Sequence, residues 1–320
     1  MSPVPLRPLL AALACGLAAP AQPAERVLTD GPEAAVHVVP SHSARQRFVG
    51  VDGDASVLGA TWYFAQWGIP LDLPARVRTP PGAAWQDANP YAHVGWRART
   101  RSYELAQDGD RAALPCGVEE DLFLAPTTPG DYPGHPKGLR PSLPLSQLDA
   151  LVASLGLDLV AERIDARCTT SPNYAAYTLG LILSDVAVPE PQTLFYQLIF
   201  RDSRGTAIDK RWCAGYEDED TPVFCIADGL ATVYGLPPPV VGGGRRVFEL
   251  DPLPALLAVI ASHHAKRGAP DRVLDDDPGH WRVTGLYHGQ ILMGGAVPTS
   301  RWDAFSLREQ YREHDRDRAP

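Results

Sequence analysis

Beyond its first twenty residues the chain has no apolar run long enough to span a bilayer, no block of Lys or Arg, and no internal repeat. The first absence excludes a later membrane-spanning helix. The second, with 29 basic residues against 38 acidic ones and a net charge of -9, argues against nucleic acid as a partner. Cysteine is scarce at five, and no CxxC pair with a nearby His suggests a zinc site. The serine-hydrolase signature GxSxG is missing, although the members of a triad need not be local in sequence. The acidic run Glu217-Asp218-Glu219-Asp220 lacks the alternating ligands and Gly of a calcium loop and reads as solvated. No cofactor or metal is called for.

What the chain has in quantity is proline and glycine, 32 and 28 of 320 residues. That content is high for a helical protein and suits many short strands joined by turns. A single β-sandwich of this length buries a full core without dividing into two domains. Residues Leu9–Ala19 form a short apolar run preceded by Arg7 and followed by Ala19-Pro20-Ala21. This predicts a signal peptide over residues 1–21 and a secreted or periplasmic protein, with a lipoprotein anchored through Cys15 as the alternative. Removing the leader leaves Cys116, Cys168, Cys213 and Cys225. An even count in an exported chain predicts two disulfides, and four cysteines allow three pairings. The pairing Cys213–Cys225 with Cys116–Cys168 is favoured because the first two are nearest in sequence.

Residues 22–55 read as an N-terminal arm with one strand at Ala35–Val39, and 56–308 as the sandwich domain. Ser56–Trp67, His93–Glu104 and Val118–Leu124 are β-prone, with the turn Gln107-Asp108-Gly109-Asp110 between the last two. Leu145, Leu148, Leu151, Val152 and Leu155 have helical spacing and predict a short helix, with a strand at Leu157–Ile164. Tyr174–Val188 and Leu194–Arg201 form the clearest strand pair. On the second, Gln197 is the only polar side chain on its face before Arg201, so it needs partners or a groove. The expected helix runs over about 251–267: Asp251 at the N-cap, Pro252 in the first turn, Gly268 at the end, and a buried stripe of Leu253, Leu256, Leu257 and Ile260. Trp281–Met293 and Thr299–Leu307 read as closing strands around Gly294-Gly295, and 309–320 as a charged tail.

The order of these pieces carries a resemblance. A strand with Tyr177-Thr-Leu-Gly-Leu-Ile-Leu precedes Phe195-Tyr-Gln-Leu-Ile-Phe, a single helix follows, and then come Trp281-Arg-Val-Thr-Gly-Leu-Tyr-His-Gly-Gln-Ile-Leu-Met-Gly-Gly and a last strand through Phe305-Ser-Leu307. Over Tyr174 to Leu307 this resembles family 12 glycoside hydrolases, which implies a mainly β, concanavalin-like β-jelly-roll sandwich with one packed helix. In that family two glutamates about 5 Å apart act as nucleophile and acid/base in retaining hydrolysis. The corresponding positions here are Gln197 and, one residue out of step, Gln290. Glutamine keeps the hydrogen bonds and loses the chemistry.

The resemblance therefore implies an exported, monomeric protein that binds a polysaccharide or oligosaccharide in a groove without cleaving it. Gln197 and Gln290 would take sugar hydroxyls, and Tyr196, Tyr287, Trp62 and Trp67 would supply rings, although such aromatics also fill sandwich cores. The alternative is a polysaccharide-cleaving enzyme using Glu104, Glu119 or Asp121 as carboxylates, or His288 beside Tyr287 as the base and acid of a lyase. An exported interaction or inhibitor protein would use the same groove.

Overall fold

The computed structural model describes residues 23–31, 36–38, 62–67, 73, 76–78, 85–97, 99–126, 138–168, 172–187, 192–205, 211–212, 223–262, 265–266 and 269–312. Two sheets dominate it. The smaller contains β1 (Ala24–Asp30), β5 (Trp85–Ala88), β6 (Ala92–Arg97), β7 (Ser102–Gln107), β9 (Leu148–Arg163), β14 (Arg246–Leu250) and β18 (Val297–Tyr311). It runs β14-β9-β18-β7-β6-β5, with β1 also paired to β18. The larger contains β2 (Val36–Val38), β3 (Trp62–Trp67), β4 (Arg76–Arg78), β8 (Glu119–Pro126), β10 (Tyr174–Asp185), β11 (Thr193–Asp202), β12 (Arg211–Trp212), β13 (Val223–Gly229) and β17 (Trp281–Met293). Its order is β12-β13-β11-β10-β17-β8-β3-β2-β4. A two-stranded ribbon, β15 (Ala265–Lys266) with β16 (Ala269–Val273), stands apart.

The sheets pack face to face as the expected mainly β sandwich. Alternation on each strand sends one set of side chains inward. Leu194, Tyr196, Leu198 and Phe200 from β11 meet Leu151, Leu155, Leu157 and Trp302 from the smaller sheet in one buried cluster. Phe200 lies 4.9 Å from Phe248 and 6.1 Å from Trp302, ring to ring. The turn between β17 and β18 is tight because Gly294 takes φ 66°, a left-handed conformation that glycine adopts without a Cβ clash.

Helix is sparse among the described residues. A one-turn helix, α1 (Leu230–Tyr234), is closed by Gly235 at φ 64°, and α2 (Leu253–Ala261) is the longer. Asp251 Oδ1 accepts the amides of both Leu253 and Leu151 at 3.0 Å, which stitches the start of α2 to β9.

Several expectations are corrected. The helix ends at Ala261, not near 267, because Ala265 and Lys266 pair into the ribbon. Its buried side is Leu253, Leu256, Val259 and Ile260, while Leu257 is only half-buried. The helical spacing from Leu145 misleads: three residues of 3-10 turn are followed by the long strand β9. Residues 24–30, expected in an arm, are a strand of the smaller sheet, and β18 runs on through Tyr311 into the expected tail. The leader over 1–21, Cys15, Cys213 and the acidic run at 217–220 lie outside the described residues. Cys116 and Cys168 are joined as expected. Cys225 is also disulfide-bonded, with its partner outside the described residues. Among the described residues no helix is long and apolar enough to cross a membrane.

Candidate functional site

The outer face of the larger sheet brings two carboxyls, an amide and two phenols onto neighbouring strands. Strand register sets its rows. Gly180 on β10 stands opposite Gln197 on β11 and Tyr287 on β17. Two residues back along β10, Thr178 stands between Ile199 and Gly289. Two further back, Ala176 pairs with Ile291, and Ile291 pairs with Asp121 on β8. At the end of the sheet Tyr174, Met293 and Glu119 are in line. Phe123, Ala125, Ala176, Ile199, Ala227, Tyr287 and Ile291 form a second buried cluster on this face, flanked by half-buried Tyr174, Ile182 and Phe195. In this apolar setting the Gln197 amide donates to the Tyr287 phenol oxygen at 2.7 Å.

Asp121 is the outlier. Its residue is 7% exposed, and its Oδ1 is buried without a hydrogen-bond partner. Burial pushes its carboxyl well above the usual carboxylate range, and the charges of Glu119 and Glu120 add to that. Glu119 lies two residues earlier on the same face and is exposed, although surrounding protein raises its carboxyl too. Burial, then the neighbouring Glu119, lifts the Tyr174 phenol to about 12. The Arg204 guanidinium sits 3.7 Å over the Tyr174 ring and donates from Nε to Asp202 Oδ1 at 2.8 Å. A carboxyl raised by burial thus stands two residues from a second that meets water, and the two environments differ.

Of the side chains singled out from the sequence, Glu119, Asp121, Gln197 and Tyr287 share this face. Gln290, Tyr196, Trp62, His288 and Glu104 do not join them. Gln290 points into the core, donating to Gln107 Oε1 at 3.0 Å and accepting from Ser300 Oγ at 2.8 Å. The two glutamines thus lie on opposite faces of one sheet, and the expected two-glutamine groove does not form. Tyr196 also faces inward, its hydroxyl on Asp228 Oδ2 at 3.2 Å. Trp62 is buried, donating its indole N–H to Asp30 O at 3.1 Å. His288, adjacent to Tyr287 in sequence, is on the other side of the sheet, stacked on Phe305 at 4.8 Å and close to Trp302 and Trp62. It is wholly enclosed, and burial lowers its pKa to about 3, so it has no route to a lyase role. Glu104 lies on the outer face of the smaller sheet. There it is held by His93 at 3.0 Å, by Arg97, and by Arg301 at 2.8 Å. The bond from His93, then those from the arginines, keep its carboxyl far below the usual range, which describes a structural anion. Trp67 pairs with Asp121 in backbone register.

Tyr174, Gly180, Asp202 and Arg204 were not singled out from the sequence. Ser203-Arg204-Gly205 is the turn after β11, and only the register across β10 brings Arg204 against Tyr174. Among the described residues one grouping of metal-ligating side chains occurs, at the far end of β10 from Tyr174.

No protein-family model matches the sequence, and no curated protein matches it. Solved structures do. A thermostable cellulase derived from Cel12A of Rhodothermus marinus aligns over 70% of this chain and 90% of its own, at 10% identity and a TM-score of 0.36. A family 12 xyloglucanase from Bacillus licheniformis aligns over 71% and 86%, at 7% identity and 0.38. Endoglucanase 3 of family GH12 from Trichoderma harzianum aligns over 71% and 99%, at 7% and 0.34. At these TM-scores the likeness carries no weight for activity, and the sandwich is read from this chain's own sheets.

Proposed function

We propose that the protein is an exported, carbohydrate-active β-sandwich that binds a polysaccharide on the outer face of its larger sheet and cleaves it with Asp121 as acid and Glu119 as the second carboxylate. The observation that carries this reading is the state of Asp121: buried, without a partner on Oδ1, and raised well above the carboxylate range. A carboxyl raised in this way holds its proton to higher pH than an ordinary carboxylic acid, which suits a group that gives it to a leaving oxygen. Glu119 meets solvent and shares the face, so it serves as the nucleophile or as the base that activates water. Half-buried Phe195 and Tyr174 offer rings for sugar faces, and the buried Gln197–Tyr287 hydrogen bond braces the strands beneath them. The sequence resemblance to family 12 glycoside hydrolases points to the same substrate class, and the Cys116–Cys168 disulfide suits an oxidising compartment.

A binder without turnover is the second reading, favoured by one observation: the Gln197 amide and Tyr287 phenol form a ready polar pair that needs no carboxylate. A single assay separates the two. Wild type, Asp121→Asn and Glu119→Gln are incubated with a panel of polysaccharides, and both reducing ends and retention in polysaccharide-loaded gels are measured. The enzyme reading expects release by wild type and a loss of about 100-fold or more in each variant, with retention kept. Retention without release supports the binder. Neither retention nor release on any glycan ends both.

A further inference from the structure

A second cluster lies where β10 ends and β17 begins. Asp185 is the last residue of β10, and Asp275 and His280 belong to the turn that enters β17. One ligand atom from each of the three comes within 4.8 Å of the others. The surrounding bonds hold them there. Asp275 N donates to Gln192 Oε1 at 2.9 Å, Asp185 N to Gln192 O at 2.9 Å, and Val186 N to His280 O at 3.1 Å. The Trp281 indole donates to Asp275 O at 3.0 Å.

Each carboxylate spends one oxygen on the backbone and keeps the other. Asp185 Oδ1 takes the Ala187 amide at 3.0 Å, and Asp275 Oδ1 takes the Asp277 amide at 2.9 Å. The free oxygen of Asp275 faces His280 Nδ1 at 2.7 Å. That of Asp185 meets no N–H donor, although the residue is 0% exposed, and the Asp185 and Asp275 carboxyls face one another. A buried carboxylate oxygen without a donor is costly unless a cation meets it. The three ligand atoms are close enough that a small shift would bring all of them onto one ion, and the His280 Nδ1–Asp275 Oδ2 separation of 2.7 Å is near the spacing of neighbouring donors at bond lengths of about 2.0–2.2 Å.

We propose that Asp185, Asp275 and His280 bind a divalent first-row transition-metal ion of the Mn²⁺-to-Zn²⁺ class. One imidazole with two carboxylates is the donor set such ions take, whereas Ca²⁺ wants six or more oxygens and Mg²⁺ keeps its waters. The ion clasps the end of β10 to the start of β17, two central strands of the larger sheet. The site lies at the opposite end of β10 from Tyr174 and is separate from the carboxyl pair on β8.

The test uses tag-free, EDTA-treated full chain in isothermal titrations with ZnCl₂, MnCl₂ and CaCl₂, with no glycan present. One equivalent of Zn²⁺ or Mn²⁺ should bind, and melting temperature should rise with it. Asp185→Asn and His280→Gln should each weaken uptake by about 10- to 100-fold. Should Asp185→Asn fail to fold by circular dichroism, His280→Gln decides alone, because its ring is about a third exposed and fills no core. Absence of saturable uptake, uptake unchanged in His280→Gln, or uptake of Ca²⁺ alone would each overturn the assignment.

Discussion

The ring of Tyr287 fills the space that a side chain on Gly180 would need: a β-carbon built there collides with its Cζ and Cε atoms. The absence of a side chain on β10 therefore lets the phenol lie across that strand and reach the Gln197 amide at 2.7 Å on the next one. Gly180→Ala should displace the ring and break that bond. We expect a stability loss of about 1–3 kcal/mol from overpacking. Retention in polysaccharide gels should fall along with it, and Tyr287→Phe, which keeps the ring but leaves the buried Gln197 amide without its acceptor, should lower retention at a cost of about 1–3 kcal/mol. Unchanged retention in both variants would remove the Gln197–Tyr287 pair from the binding surface.

His288 makes the core acid-sensitive. Unfolded, an imidazole titrates near 6.5, while burial holds the folded one at about 3. Between those values the unfolded chain binds a proton that the folded chain refuses. This contribution to stability is therefore complete above about pH 6.5, declines as pH falls, and levels off near pH 3. At about 1.4 kcal/mol per pH interval, wild type should lose roughly 3 kcal/mol from this group between pH 7 and pH 4. His288→Phe keeps a flat ring against Phe305 and should lose correspondingly less. Urea unfolding of both proteins at the two pH values measures the difference, and parallel losses would refute the account.

How far this architecture is legible in the sequence depends on strand parity. β10 and β11 are readable because their apolar runs are bounded by turn signals. β9 is not, since Leu148, Leu151, Val152 and Leu155 fit a helix as well as a strand. Only the continuing alternation through Leu151, Ala153, Leu155, Leu157 and Leu159, all buried, decides for the strand. The glutamines fail for a related reason. A register shift between Ile182 and Leu183 of β10 and their partners on β17 switches which residues point inward. Trp281 and Val283 face the core before it, and Leu286, His288, Gln290 and Leu292 after it. Because β17 is apolar on both faces, nothing in its composition reveals the switch. Asp121 and Glu119 could be named as carboxylates, but their shared face came from pairing with β17.

The end of the chain offers a last test, because Glu309 looks like part of a charged tail and is instead wholly buried. It accepts Arg26 Nε at 2.9 Å, Ser142 Oγ at 2.7 Å and the Leu143 amide at 2.9 Å. One carboxylate thereby joins β1, the segment before β9, and β18. Removing the charge leaves Arg26 and two enclosed donors short of an acceptor, a loss that generally exceeds the net worth of the bonds. Glu309→Gln should cost about 2–4 kcal/mol in urea unfolding. Arg312→Ala, three residues on, breaks only an exposed pair with Asp149 at 3.3 Å and should cost under about 1 kcal/mol. Truncation after Leu307 should then prevent stable folding, while truncation after Arg312 should not. Equal tolerance of both truncations would show that β18 ends where the sequence suggested, and that the buried carboxylate is dispensable.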